Sequence, residues 1–468
     1  MKKNVVILTN SHGTKNIAWD KIGYVVKELS ELYQIVKETE VDLILVDSNR
    51  TDLRSQVAVK IRRYNGLTDI WKITQNDFDD TLEEYYDGFF SFEIGLEGIR
   101  KKVNQILTSK DLLSHYSIIA RSAQMKLVAE TIHRIAPTDV PVLIVGPSGA
   151  GKELVAKAIH KDSDRTSEGF VAINCGAIAE GLLESELFGH EKGAFTGSIS
   201  KREGLFKKAD NGMIFLDEIG ETKPEMQVKL LRVLEDGTFY PVGSSNPQYT
   251  NVRIVSATNR DLQEAISEKK FRDDLYFRIG VVKIILPPLF ERKNDIQPLL
   301  KYFWRSEKLD YSDSALELLQ QYDWPGNIRQ LKNFADRMVA LRQKGMVEAK
   351  DVRLFIDEQH AQPNNLPVST GKSTEEAGQE LIYHAILSLG SEIKMLRDLI
   401  TSHLPNANPQ EVQSNSPEAM KGMTVEQVEK MMIRQVLVET DGNRKEAAIK
   451  LGMGERTLYR KLSKYNLS

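Results

Sequence analysis

Cysteine occurs once in the chain, as Cys175, which rules out an internal disulfide framework. Eight histidines, none with Cys or His partners at ligand spacing, give no metal site of the zinc type. No run approaches the roughly 18 apolar residues of a membrane span. The opening MKKNVVILTNSHG turns polar after about five apolar residues, too soon for a signal peptide. These absences predict a cytoplasmic protein with no membrane partner. Excess charge of one sign is missing too, since 63 Lys and Arg stand against 66 Asp and Glu. What is present is ordinary globular material, 468 residues with 41% hydrophobic and 28% charged, enough for about two to four domains. The basic charge collects at one end. Between Asn443 and Ser468 seven basic residues face Glu446 and Glu455, a local net charge of +5.

Along residues 1–110, NVVIL (4–8), DLILVD (42–47), DIWKIT (69–74) and GFFSF (88–92) alternate with KELSELYQIVKE and LEGIRKKVNQIL. Buried parallel strands separated by helices are predicted, an α/β sandwich. A second α/β block continues to about residue 290, and a helical block over 291–358 opens after the breaker LPPL. Residues 359–422 read as a polar linker around one amphipathic helix, 381–404, whose Ile382, Ala385, Ile386, Leu389, Ile393, Leu396 and Ile400 share a face. The basic segment 423–468 ends the chain.

GPSGAGKE, Gly146 to Glu153, has the spacing of a phosphate-binding loop, and its context fits: an apolar strand, VPVLIV, precedes it and a helical stripe of Leu154, Val155, Ala158 and Ile159 comes after it. In Gly146, Pro147, Ser148, Gly149, Ala150 and Gly151 the backbone N–H groups would cradle phosphate oxygens, while Lys152 would reach the β and γ phosphates. Glu153 stands where a Mg²⁺-binding hydroxyl usually follows the lysine. MIFLDE (213–218) is a strand ending in two acids. Asp217 would position Mg²⁺ and Glu218 would polarise the attacking water of ATP hydrolysis. VRIVSATN (252–259) ends in Asn259, which could sense the γ-phosphate. One stretch resists structural reading: ELFGHEKGAFTGS (186–198) puts Phe195 between small residues with neither helical nor strand period.

The order of GPSGAGKE, NCGAI, ESELFGHEKGAFTGS, GMIFLDEIG, FRDDLYFRI, LPPLFERKNDI and WPGNIRQLKN resembles the AAA+ domain of sigma-54-dependent transcriptional activators, over about residues 117–358. The resemblance implies an α/β ATPase subdomain (117–290) with a helical lid (291–358). It implies that the loop Gly193, Ala194, Phe195, Thr196, Gly197 and Ser198 contacts sigma-54 RNA polymerase, an exposed aromatic being a typical interface anchor. It makes Glu153 the usual residue after the lysine. Asn174 matches the residue that restrains Glu218, Arg272 and Arg278 match arginines that reach a neighbouring subunit's ATP, and Arg329 matches a nucleotide sensor on the lid. Catalysis then requires a homo-oligomer, from dimer to hexameric ring. Two positions depart from the pattern: Ser198 replaces the usual Ala and Gln330 the usual Glu.

Residues 423–468 resemble a Fis-type all-α helix-turn-helix domain for double-stranded DNA, with Arg456, Thr457, Arg460, Lys461 and Lys464 on its second helix. The N-terminal block resembles a response-regulator receiver in degenerate form. Asp47 holds the place of a phosphoacceptor and Thr74 that of the switch hydroxyl. However, TNSHG replaces the acidic pair, and Ser91 or Phe92 stands near the expected lysine. A pseudo-receiver controlled by a small molecule, a partner protein or expression level is expected. The reading is a multidomain α/β ATP-hydrolysing transcriptional activator. The alternative is a DNA-binding regulator independent of sigma-54 and of ATP turnover; a metabolic P-loop kinase would leave the GAFTGS loop and the terminal helices unexplained.

Overall fold

The structure is a computed structural model, described over residues 5–9, 19–47, 50, 53, 55–74, 85–194, 200–305, 308–342 and 344–361, and over 430, 433–434, 436–437, 440, 443–451 and 453–465. The expected helix 381–404 lies outside these residues, as do Phe195, Thr196, Gly197 and Ser198. The chain forms two compact units, Met1–Gln362 and Pro363–Ser468.

The first unit opens with a parallel sheet of β1 (Val5–Leu8), β2 (Tyr24–Val26), β3 (Leu43–Asp47), β4 (Asp69–Thr74) and β5 (Gly88–Ser91). The strand order is β2-β1-β3-β4-β5, a doubly wound arrangement. Helices α1 (Leu29–Glu38), α2 (Ser55–Tyr64) and α3 (Gly95–His115) accompany it. Every residue of β1 and β3 is buried, which explains why these strands read as unbroken apolar runs. The sequence reading missed β2, a three-residue edge strand whose Tyr24 is exposed and which therefore carries no apolar run.

Next come α4 (Ala123–Ile135), β6 (Val142–Val145), α5 (Lys152–Lys161), β7 (Phe170–Asn174), α6 (Glu180–Phe188), β8 (Gly189–His190), β9 (Arg202–Glu203) and α7 (Leu205–Lys208). After them the chain forms β10 (Met213–Asp217), α8 (Pro224–Asp236), β11 (Thr238–Phe239), β12 (Gln248–Tyr249), β13 (Arg253–Thr258), α9 (Leu262–Ser267), α10 (Asp273–Ile279) and β14 (Val282–Ile285). The central sheet runs β14-β6-β13-β10-β7, all parallel. Alternation along β10 sends Met213 and Phe215 into one core and Ile214 and Leu216 into the other. The carboxyl ends of β6, β10, β13 and β7 thus meet along one edge.

The lid consists of α11 (Ile296–Phe303), β15 (Lys308–Tyr311), α12 (Asp313–Gln321), α13 (Asn327–Arg342), β16 (Lys344–Val347) and α14 (Ala349–Ala361). Its core gathers Trp304, Trp324, Phe334 and Phe355. The parallel β15–β16 pair was not visible in the helical periodicity.

Buried ions join the N-terminal sheet to the start of the central block. Asp87 pairs with Arg62 at 2.6 Å and with Arg121 at 3.1 Å, and Asp69 pairs with Lys126 at 2.7 Å. Lid residue Asp295 accepts the backbone N–H of Arg121 and Ser122 and the Ser122 hydroxyl at 2.6–2.7 Å. In the second unit, α15 (Arg444–Lys450) and α16 (Glu455–Tyr465) pack through Ala447, Ala448, Leu458 and Leu462.

Candidate functional site

Between β6 and α5 the chain turns through Gly149 (φ +74°) and Gly151 (φ +105°), backbone conformations that favour glycine. A Cβ at Gly149 would lie 2.5 Å from the Gly326 carbonyl oxygen, so the loop also needs glycine to admit the lid. Lys152 is buried and donates to the carbonyls of Gly146 (2.9 Å) and Pro147 (3.2 Å). Burial lowers the Lys152 ammonium below the ordinary lysine value, and Asp217 and Glu218 offset part of that. Glu153 faces away from this work, in an exposed pair with Lys157 at 2.7 Å.

Across the edge, β10 delivers Asp217 and Glu218. Burial raises the Asp217 carboxyl, with Lys152 pulling the other way. Glu218 adopts φ +55°, the left-handed region, which costs a non-glycine residue about 1–3 kcal/mol. Two backbone contacts hold it there: its N–H donates to Asp217 Oδ1 (3.0 Å), and its carbonyl accepts from Glu221 N–H (2.9 Å). Its carboxylate comes to rest over Gly176, where a Cβ would meet Glu218 Oε2 at 2.5 Å. Asn174 ends the neighbouring strand β7, level with Asp217. Its Oδ1 accepts the N–H groups of Gly176 and Ala177 at 2.9 Å, so it shapes the turn on which Glu218 lies. No hydrogen bond joins Asn174 to Glu218 among the described residues.

Asn259 follows β13 and, with Gly146, Pro147, Tyr276, Leu286 and Phe290, lines a cleft of about 590 Å³, within the usual size of a small-molecule site. Arg329, exposed on α13, donates to Ser148 Oγ at 3.2 Å. Gln330 accepts the Gly326 N–H at 3.0 Å, an acceptor role that a glutamate would also fill. Arg272 and Arg278 lie elsewhere. Arg272 is paired bidentately with Asp274 at 3.0 and 2.6 Å, and Arg278 donates to the Leu234 carbonyl at 3.1 Å. Neither has a contact with its own phosphate loop among the described residues.

The stem of the GAFTGS loop is the β8–β9 pair, where Gly189 and Gly204 cross so closely that a Cβ on Gly204 would lie 2.3 Å from the Phe188 carbonyl carbon. Gly193 sits at φ +82°, and Ala194 packs on Gly243 of the neighbouring loop. Backbone bonds from Glu191 to Val242 (3.0 Å) and from Val242 to Gly189 (2.9 Å) tie the two loops together. In the N-terminal sheet Asp47 is fully buried and accepts a 2.6 Å hydrogen bond from Thr9 Oγ1. Thr74 and Ser91 are buried nearby on β4 and β5. On α16, Arg456, Thr457, Arg460 and Lys464 are exposed and Lys461 half-buried, while Arg444 of α15 lies 5.2 Å over the Tyr459 ring.

Comparison with known proteins places the chain in a family. Residues 118–285 match the sigma-54 interaction domain, 290–368 the AAA+ ATPase lid domain, and 424–465 the bacterial regulatory protein, Fis family. The transcriptional regulatory protein ZraR of Klebsiella oxytoca is 33% identical over 450 residues, covering 92% of this chain and 90% of that one. The chain belongs to the sigma-54-dependent transcriptional regulators. By these matches the regulator carries an AAA+ domain with its lid, a DNA-binding helix-turn-helix and a receiver-like N-terminal domain. Against the Nif-specific regulatory protein of Azotobacter vinelandii it is 46% identical over 243 residues, 51% of its own chain and 47% of the relative, so it spans about half of that protein. A crystal structure of NtrX from Brucella abortus in complex with ATP aligns over 99% of both chains, at 23% identity and a TM-score of 0.48. No described helix is long and apolar enough to cross a membrane.

The sequence reading did not single out Asp69, Asp87, Arg62, Arg121 and Lys126, which are scattered along the chain and would each pass for a surface charge. Gly176 lay within the quoted NCGAI, and Gly189 and Gly204 flank GAFTGS, but spacing alone does not show what a glycine is pressed against.

Proposed function

We propose that this regulator hydrolyses ATP in a homo-oligomeric ring and uses the cycle to remodel the sigma-54 RNA polymerase closed complex at promoters, from binding sites on upstream double-stranded DNA. The observation that carries the reading is the meeting, at one sheet edge, of the phosphate loop with Lys152, the Asp217–Glu218 pair and, from the lid, Arg329. The residues fit a nucleotide with Mg²⁺. Gly149 and Gly151 open the loop to a phosphate, and among the described residues the buried Lys152 is hydrogen-bonded to two carbonyls it can exchange and to no carboxylate. Mg²⁺, when bound, would neutralise phosphate charge, and Asp217 would hold it.

In this assignment Gly146 to Gly151, Glu153 and Asn259 contribute to binding, and Glu218 orients the attacking water. Asn174 sets the turn beneath Glu218. Arg272 and Arg278 act on a neighbouring subunit's nucleotide, which the lack of any contact with their own loop among the described residues supports. Gly193 to Ser198 face sigma-54. Arg456, Thr457, Arg460, Lys461 and Lys464 contact DNA, their exposure on one short helix supporting the role. Asp47, buried and bonded to Thr9, fits a pseudo-receiver rather than a phosphoacceptor. The five domains then run 1–110, 117–290, 291–358, 359–422 and 423–468, in a cytoplasmic protein.

The test is transcription by purified sigma-54 holoenzyme from a supercoiled promoter carrying this regulator's DNA site, with ATP. Wild type is expected to produce transcript, and Glu218→Gln and Phe195→Ala none. Equal activity of all three, or silence of all three while wild type still hydrolyses ATP, would transfer the assignment to a DNA-binding regulator that does not act on sigma-54.

A further inference from the structure

Three successive carbonyls of the phosphate loop each accept a hydrogen bond from the lid. Asn327 Nδ2 donates to Ser148 (3.0 Å), Ile328 N–H to Gly149 (3.1 Å) and an Arg292 terminal nitrogen to Ala150 (2.9 Å). Both side chains are specialised for this. Asn327 is buried at φ +52°, and its Oδ1 accepts the N–H of Leu289, where the lid begins, so one carboxamide bridges lid and loop. Arg292 is a buried guanidinium whose Nε has no hydrogen-bond partner among the described residues. A buried cation is costly unless it is paired and hydrogen-bonded; here the Asp295 carboxylate supplies the attraction and the Ala150 carbonyl accepts a hydrogen bond.

In a trans peptide the C=O and N–H point in opposite directions. Holding the carbonyls of 148, 149 and 150 against the lid therefore turns the N–H groups of Gly149, Ala150 and Gly151 to the loop's other side. There, among the described residues, the Ala150 N–H makes only a 3.3 Å turn contact with Pro147 O. Without the lid bonds each of these peptides could rotate and present a carbonyl to an anion.

We propose that Arg292 and Asn327 are positioning residues that preorganise the phosphate loop, so that nucleotide affinity depends on where the lid sits. This rests on the nucleotide reading of the loop. Preorganisation removes an ordering cost from binding, and it acts on ground state and transition state alike, so it should show in KM and Kd and leave kcat in place.

The experiment uses the full chain and measures ADP affinity by calorimetry together with ATP KM and kcat. Asn327→Asp keeps tolerance of the left-handed backbone and an acceptor for Leu289, but loses the donor to Ser148. Arg292→Met loses the donor to Ala150. Each is expected to weaken ADP binding and raise KM about tenfold, the scale of one lost charged or buried hydrogen bond, with kcat changed less than about twofold. Arg292→Lys, which keeps the charge and a donor, should fall between Arg292→Met and wild type, and it carries the test if Arg292→Met does not fold. A new carboxylate at this buried position would be little screened by salt, so Arg292→Lys, which adds no negative charge, separates loss of a loop bond from charge repulsion. Wild-type ADP affinity in folded Asn327→Asp and Arg292→Lys, or a lower melting temperature with unchanged affinity, overturns the inference. The nucleotide reading itself fails in a different way: wild type would not bind ADP, or Lys152→Ala would bind it equally well.

Discussion

Replacing Asp87 by Asn tests whether the N-terminal sheet is held by its buried ions. The Asp87 carboxylate lies between the guanidiniums of Arg62 and Arg121, and all three side chains are at most 6% exposed. Asn would keep an acceptor for the Ile70 N–H, which donates to Asp87 at 2.8 Å. It would leave two buried cations facing each other with only Asp69, itself paired with Lys126 and Lys110, as a nearby counter-charge. Breaking a buried pair in this way costs about 3–5 kcal/mol, and the retained acceptor places Asp87→Asn near about 3 kcal/mol. At about 1.4 kcal/mol per decade, that is a loss of roughly two decades in amide-exchange protection. The loss should fall on β4 and β5, which flank Asp87, and should be smaller on β10 and β13 of the central sheet.

The pH dependence is set by the sign of the shift. Burial by itself would raise Asp87, but Arg121 and Arg62 outweigh it and hold the carboxyl below its usual value. A depressed carboxyl contributes stability above its unfolded pKa of about 3.9 and loses it only as pH falls through the lower folded value. Between pH 5 and 7 the deficit of Asp87→Asn, corrected for intrinsic exchange rates, should therefore be flat. A protection loss under about fivefold would refute the energetic argument, since that is the range of exposed pairs. A deficit that shrinks between pH 7 and 5 would refute the sign.

Other perturbations act through close contacts and burial. Gly176→Ala should push the Glu218 carboxylate from its resting place, because the new Cβ would lie 2.5 Å from Oε2; phosphate release should fall tenfold or more while calorimetry shows ADP affinity unchanged, and normal turnover would contradict it. Gly204→Ala should spread the β8–β9 stem and abolish transcription activation while ATPase activity persists; full activation would mean the crossing is not needed. The Cys175 thiol is pushed up to about 12 by burial, with Asp217 and Glu218 adding to it, so at pH 8 only about one molecule in 10⁴ would carry the thiolate. Mass spectrometry should find no iodoacetamide adduct until the chain is unfolded in urea, and rapid labelling of the folded protein would contradict this.

How much of this was legible depends on sequence distance. The phosphate loop was readable because strand, glycines, lysine and helix are contiguous between Val142 and Lys161, and the chemistry and the local fold share one signal. Fully buried strands such as β3 declared themselves through composition, whereas β2, three residues at a sheet edge, had nothing to declare. Arg292 and Asn327 sat inside recognised motifs, yet their partners lie 142 and 179 residues upstream. No periodicity carries that information. The same holds for Arg121 and Asp295, 174 residues apart, whose pairing exists only once the lid has closed over the start of α4.

Those long-range contacts form a continuous route. Arg121 touches Asp87 of the N-terminal sheet through its guanidinium and Asp295 of the lid through its N–H. Three residues before Asp295, on the same turn of the lid, Arg292 holds the Ala150 carbonyl of the phosphate loop. A shift of the N-terminal sheet that moved Arg121 would thus load the lid turn that fixes the loop. Contiguity alone does not establish coupling, which requires an element with two arrangements that both ends bias. ADP affinity in Asp87→Asn decides between the cases. A Kd equal to wild type while β4 and β5 lose protection makes the ion network a static joint. A weakened Kd, with the phosphate loop itself unaltered in sequence, makes the N-terminal domain a regulator of the nucleotide site through the lid.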